Sequence, residues 1–178
     1  MADLKILEEP LPDLFLLECP HYPDDRGDFT KLFHTESLKA QGVNFPLAEI
    51  FLSRSKAGVL RGMHFQAGIA AHAKLVTCTR GRVVDVVVDV KAESTNFNQP
   101  FAVELTEASN LALLIGKGYA HGFLSLEDES HMLYATTTVH NPSLDKGVLW
   151  SSIAFDWPVP SPLLSARDCQ HPRIQEQK

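Results

Sequence analysis

Cysteine is scarce in this sequence. There are three among 178 residues, Cys19, Cys78 and Cys169, far apart and without a Cys-x-x-Cys pair. So small and odd a set argues against a disulfide framework and suits free thiols in a reducing compartment. An excess of positive charge is absent too. The formal net charge is -6, which disfavours broad nucleic-acid binding through phosphate neutralisation. No apolar run approaches the roughly 20 residues of a membrane span. The opening stretch, MADLKILEEPLPDL, lacks a basic segment followed by an apolar one, so no secretory signal is visible. Internal repeats and low-complexity segments are missing. These absences predict a cytoplasmic protein with neither nucleic acid nor membrane among its partners.

What is present suits a folded unit. Hydrophobic residues make up 44% and charged residues 21%, and residues 1–178 are expected to form one domain around one core. Strand signals dominate: 14–19, 28–33, 48–55, 59–65, 74–80, 82–90, 101–106, 111–115, 131–139 and 147–152. In 28–33 the alternation would put Phe29, Lys31 and Phe33 on one face. The stretch 82–90 carries valine on both faces around Asp85, as expected of a strand buried on both sides. Turn signals separate these runs, among them Arg80-Gly81, Gly116-Lys117-Gly118 and Asn141-Pro142. Helical periodicity is convincing only over 34–42, where Thr35 or Ser37 would cap and Gly42 would stop the helix. The C-terminal stretch suits a turn or two of helix with a frayed end. Short strands with regular turns predict an all-β sandwich or barrel.

The chemistry concentrates in VLRGMHFQAGIAAHAKLVTCTRG, 59–81. Cupin-type barrels carry Gly, five residues, His-x-His, then a glutamate and a second glycine. Here Gly58 stands six residues before His64, Gln66 replaces the second histidine, Lys74 lies near the glutamate position, and Gly81 follows. A second cupin segment, Pro-x-Gly-x-x-His, matches Gly116 to His121 with glycine for proline. The frame therefore resembles a cupin: a double-stranded β-helix, or jelly-roll barrel, with a few short helices. Two of its usual metal ligands, His64 and His121, remain. Gln66 is a weak ligand, and a protonated Lys74 offers no lone pair and repels a divalent cation. This pattern favours organic acid–base chemistry over a metal, although a metal-dependent cupin enzyme remains the competing reading at this point.

Such a pocket suits proton abstraction beside a carbonyl. With His64 and Lys74 inward from adjacent strands and Tyr134 from another, a neutral imidazole takes the proton. An ammonium stabilises the oxyanion, and a phenol returns a proton from the far side. That is epimerisation or ketone–enol isomerisation, without metal or redox cofactor.

With these residues assembled, the chain resembles the dTDP-4-dehydrorhamnose 3,5-epimerase family. The matching segments include DDRGDF (24–29), GVLRGMHFQ (58–66), GKGYAHGFLSL (116–126), LYATT (133–137), NPSLDKGVLW (141–150) and LSARD (164–168). The resemblance implies a metal-free and cofactor-free homodimer acting on a nucleotide-diphosphate sugar. His64 would be the base at C3 and C5, Asp168 its dyad partner, Lys74 the enolate stabiliser and Tyr134 the opposite acid. Arg61, near the diphosphate, and His121 would line the pocket, with Gln66 and Arg167 also at the substrate. Arg26 and Phe29 would bind the nucleotide across a dimer interface. Departures fall at Lys31, Glu49, Phe51 and His140, around the sugar and base. They imply a substrate whose base or sugar differs from the usual dTDP one, with CDP and GDP as the candidate nucleotides. Epimerisation at C3 alone or C5 alone, and a non-catalytic nucleotide-sugar-binding cupin, are the other readings. Gln66 favours an epimerase over the related 3,4-ketoisomerases. His72 and His131 are expected at the surface.

Overall fold

The computed structural model describes residues 3–177. The chain forms β1 (Lys5–Leu11), β2 (Leu14–Glu18), β3 (His21–Asp24), β4 (Gly27–Thr30) and one short helix, α1 (Thr35–Ala40). Then come β5 (Glu49–Ser55), β6 (Leu60–Gln66), β7 (Lys74–Arg80), β8 (Arg82–Asp89) and β9 (Pro100–Thr106). The last strands are β10 (Leu111–Ile115), β11 (Tyr119–Ser125), β12 (Ser130–Thr136) and β13 (Asp145–Gly147).

Two antiparallel sheets face each other. One runs β1-β2-β10-β7-β12-β5, the other β13-β6-β11-β8-β9. From β6 onward the chain crosses between the sheets at almost every connection, which is the all-β, cupin-like jelly roll. The inner faces meet in one apolar cluster. Val76, Cys78 and Met132 of the first sheet pack against Val83, Val87 and Phe123 of the second. On β8, Val86 and Val88 point the other way into a second cluster with Met63, Val148 and Ile174. The strand is thus buried on both faces, as its valine run predicts, and Asp85 lies among the inward residues. A third cluster, with Leu38 of α1, Phe45 and Leu75, covers the outside of the six-stranded sheet. The tight β7–β8 turn depends on Gly81 at φ 75°, where a side chain would also strike Ser130.

The departures from the sequence reading have local causes. Strand β1 contains Pro10 and escaped the strand pattern; it lies at a sheet edge and pairs with β2 through two register irregularities, where a proline is tolerated. Strands β3 and β4 make a separate hairpin, and the strand expected over 28–33 ends at Thr30. The Lys31 amide turns back to the Pro20 carbonyl, and Phe33 joins the outer cluster while Phe29 stays exposed, so their expected common face does not form. Strand β11 forms where the sequence shows only a turn signal and a motif. The strand expected over 147–152 gives way after Val148 to a 3₁₀ turn at Trp150–Ser152. Neither Thr35 nor Ser37 caps α1: His34 stands at its N-cap without a side-chain bond, and the Ser37 hydroxyl donates to the Leu4 carbonyl. Gly42, at φ 83°, follows the helix end as expected. The C-terminal stretch forms two 3₁₀ turns, Asp168–Gln170 and Ile174–Gln177, held by a fully buried Ile174 whose amide donates to Ser152 Oγ. All three cysteines are free, and no helix among the described residues is long and apolar enough to cross a membrane.

Candidate active site

A cavity of about 540 Å³ opens between the two sheets. Every site residue singled out in the sequence lines it, except Arg26, Phe29 and Lys31. Arg26 and Phe29 sit on the β3–β4 hairpin, where Arg26 pairs with Asp24 and Phe29 lies against Tyr22, away from this chain's own cavity.

Strand β6 carries His64. Its Nε2 lies 2.6 Å from Oδ1 of Asp168, which comes from the 3₁₀ turn after the last strand. Burial pushes the Asp168 carboxyl up. The hydrogen bond and charge of His64, with Ser165 and the Gly62 amide, outweigh it and hold the group below the usual carboxylate range. The carboxylate is therefore ionised and suited to fix the imidazole.

Directly across the ladder from His64 is His121 of β11. The two strands approach so closely here that a Cβ on Gly62 would stand 2.5 Å from the Gly122 Cα. His121 makes its own carboxylate pair, with Nε2 at 2.8 and 2.9 Å from the Asp85 oxygens. The two pairs differ in reach. The His64 side chain is 32% exposed, that of His121 only 4%. Only His64 is open to a ligand, and burial keeps His121 in its neutral form despite Asp85. Asp85 is the residue the sequence reading missed; its one signal was a lone carboxylate in a strand of valines.

Lys74 does not share a sheet with His64. It starts β7 in the facing sheet, and its Nζ donates to the His64 carbonyl across the gap at 3.3 Å. Burial lowers it to about 8, with Asp85 and Asp145 opposing. Tyr134 comes from β12, beside β7. Burial pushes its phenol up, against the pull of Ser53, so it remains a proton donor at neutral pH. Phe51 of β5 stacks on its ring at 4.6 Å and 10°.

The rim is an ionic chain. Glu49 accepts from the His140 amide at 2.9 Å, the His140 ring meets Asp145 at 3.1 Å, and Arg167 reaches the same Asp145 oxygen at 2.8 Å. Arg61 spends Nε on Ser55 and Nη2 on the Arg54 carbonyl. Gln66 is buried and its amide is occupied by backbone and His72, which makes it a positioning group. His72 and His131 are both partly buried, contrary to the surface places expected, and His72 lines the cavity.

Among the described residues one trio, His64, Asp168 and His171, brings three metal-capable atoms within 4.8 Å of one another. Its 2.6 Å contact is a hydrogen bond, shorter than the roughly 3.3 Å that separates two zinc ligands in tetrahedral geometry. The arrangement fits an acid–base dyad better than an ion.

The sequence model of one family, dTDP-4-dehydrorhamnose 3,5-epimerase, matches residues 8–176. The chain belongs to the dTDP-4-dehydrorhamnose 3,5-epimerase family. Members are isomerases of the epimerase type, and so is this protein. The family enzyme of Escherichia coli K12 is 38% identical over 169 residues, covering 93% of this chain and 91% of its own. A dTDP-4-dehydrorhamnose 3-epimerase of Streptomyces niveus is 38% identical over 148 residues, covering 82% of this chain and 72% of its own. The crystal structure of the Bacillus anthracis 3,5-epimerase, with TDP and PPi bound, superposes with a TM-score of 0.92 at 35% identity, over 96% of this chain and 99% of that one. The family's cupin-like fold is the one described above.

The buried titratable groups set an acid-stability profile. His72, His121 and His171 are all held low by burial, His72 to about 4. The unfolded chain takes up these protons near pH 6.5, so stability is full above that value and falls as pH drops toward 4. Asp168 and Asp145, also held low, add stability that is present above about 3.9 and lost below it. Urea midpoints measured from pH 7 to pH 3 are expected to fall in two stages. A flat profile between pH 6.5 and pH 4 would contradict the histidine burial.

Proposed function

We propose that this enzyme is a 3,5-epimerase of a nucleotide-diphospho-4-keto-6-deoxysugar, working without metal or organic cofactor. One observation carries the reading. The base and its carboxylate stand on one wall of the cavity, on β6 and the turn at Asp168, and the phenol stands on the other, on β12. Inverting a carbon needs a proton removed from one face and returned to the opposite face, so base and acid belong on facing walls.

The sugar lies between the walls with its C4 ketone toward Lys74. His64 takes the proton from the carbon beside the ketone, and the C–H electron pair moves into an enolate at C4. The Lys74 ammonium stabilises the enolate oxygen. Asp168 holds the resulting imidazolium. Tyr134 then gives its proton to the opposite face, and the enolate collapses back to the ketone. His64 then releases its proton to solvent and Tyr134 takes one up, and the same steps at the second flanking carbon complete the reaction. Arg61 and Arg167 at the rim supply cationic groups for the diphosphate.

We favour dTDP as the nucleotide. The Bacillus anthracis relative was crystallised with TDP. The departures Glu49 and His140, which pointed in sequence to CDP or GDP, bond each other here, and Phe51 is spent on Tyr134. The partner is a second copy. Ile50 and Leu52 are 58% and 45% exposed on the outward face of edge strand β5, and Phe29 is exposed on the hairpin. An apolar edge of this kind calls for cover. In the dimer the hairpin would bring Arg26 and Phe29 to the neighbouring cavity.

Three measurements test this. With dTDP-, CDP- and GDP-4-keto-6-deoxyglucose in D2O, NMR should show deuterium entering both C3 and C5 of the dTDP sugar, and His64→Ala should slow it by about 10²–10⁴-fold. Deuterium at C3 alone would make it a monoepimerase, and a faster CDP or GDP sugar would overturn the nucleotide. The rate should fall as pH rises past about 8, where Lys74 loses its proton, and Lys74→Arg should abolish that limb. Light scattering should give a dimer mass, reduced toward the monomer by Ile50→Glu; a wild-type monomer would defeat the dimer.

A further inference from the structure

The scheme above makes no use of His72, although it lines the cavity two residues before Lys74. Its protonation state can be read from its neighbours. The Gln66 amide has a fixed orientation, because Oε1 accepts from the Asn141 backbone N–H at 2.6 Å. The opposite end, Nε2, faces the carbonyls of Ala70 and Val139, both at 3.3 Å, which can only accept. The shortest contact of that nitrogen is His72 Nδ1 at 3.0 Å. Two donors do not face each other, so Nδ1 is the bare nitrogen. Thr138 Oγ1, whose own proton goes to the Ala70 carbonyl at 3.0 Å, can only accept from Nδ1, but at 3.5 Å it lies farther than the Gln66 donor at 3.0 Å, and it also faces that Gln66 nitrogen at 3.4 Å. The ring proton of His72 therefore sits on Nε2.

The direction of the side chain follows from the ladder. The Ala73 carbonyl accepts from the Thr137 backbone N–H, which continues the β7–β12 pairing, its amide donates to the Thr137 hydroxyl, and the Ala73 side chain packs in the outer cluster. Residues 72 and 74 consequently face inward together. The ring also stays neutral. Burial and the charge of Lys74 hold it low, with His140 and His121 adding to that effect and Asp145 opposing it. A neutral donor beside an ammonium adds a hydrogen bond without the repulsion of a second cation.

Resting on the epimerase reading of this cavity, we propose that His72 is a second donor to the substrate's C4 oxygen. Its Nε2–H and the Lys74 ammonium hold the enolate oxygen between them while the proton leaves the neighbouring carbon. Lys74 supplies the charge and His72 the direction. The bond strengthens as the ketone becomes an enolate, so its loss should appear in the rate of exchange and not in substrate binding.

The test compares wild type, His72→Phe and His72→Gln on dTDP-4-keto-6-deoxyglucose in D2O. Phenylalanine keeps the ring volume without a donor; glutamine keeps an N–H. His72→Phe should lower kcat for exchange by about 10²-fold with KM little changed, and His72→Gln should recover most of the loss. In the wild type, ¹⁵N NMR of the His72 ring should show the neutral Nε2–H form down to about pH 4. Exchange by His72→Phe at the wild-type rate, an effect on KM alone, equal losses in both variants, or a protonated Nδ1 would each overturn the proposal. A wild type that exchanges none of the 4-keto-6-deoxyglucose nucleotides would instead defeat the epimerase reading, and this proposal with it. The ring measurement needs no substrate and keeps the two failures apart.

Discussion

The arrangement of the candidate site depends on one bond between residues 104 positions apart, His64 Nε2 to Asp168 Oδ1 at 2.6 Å. Both partners need the rest of the fold to meet. His64 is fixed by a ladder to β11 on one side and β13 on the other. Asp168 is fixed by the turn in which it sits, with its amide on Ser165 Oγ, and by the buried Ile174 that anchors the segment after it. Glycines at 62 and 122 allow the strand approach that sets His64 opposite His121. A lost dyad carboxylate leaves the imidazole free to rotate and to change tautomer.

A second constraint is electrostatic. Lys74, Asp85, His121 and Asp168 are all buried, and burying charge is costly unless it is paired. The cost is met by pairing within the five-stranded sheet and across the gap between the sheets. Lys74 sits in the field of Asp85 and Asp145, and Asp85 accepts from His121. The polar floor thus ties the two sheets together where apolar packing stops. It also leaves one ammonium, the imidazoles of His64 and His72 and one phenol lining the same space.

Much of this was legible in the sequence, because the relevant signals are local. Strands 74–80 and 111–115 have the bounds the pattern gave them, since apolar runs bounded by turn residues specify a strand without distant help. The motifs carried His64, Lys74, Tyr134 and Asp168 to one cavity. What escaped was settled by distance. The sheet in which a strand ends up is a property of the crossover, so His64 and Lys74 read as neighbours in one sheet although they face each other from two. Pro10 hid an edge strand whose register irregularities accommodate it. Asp85 looked like an interruption among valines until β11 placed His121 over it. His72 looked like surface because its cover comes from Gln66 and from Thr138, which is 66 residues away.

The position of Asp168 after the last strand sets it apart from the rest of the site. The sheets, the lysine, the phenol and the imidazole are all encoded by residue 147, whereas the carboxylate that meets the imidazole joins them only through the C-terminal segment, whose Ile174 packs with Met63 and Val148. The site is complete only with the C-terminal turn in place. A cut anywhere between 148 and 167 would remove Asp168 together with Ile174, which packs against the outer face of the five-stranded sheet.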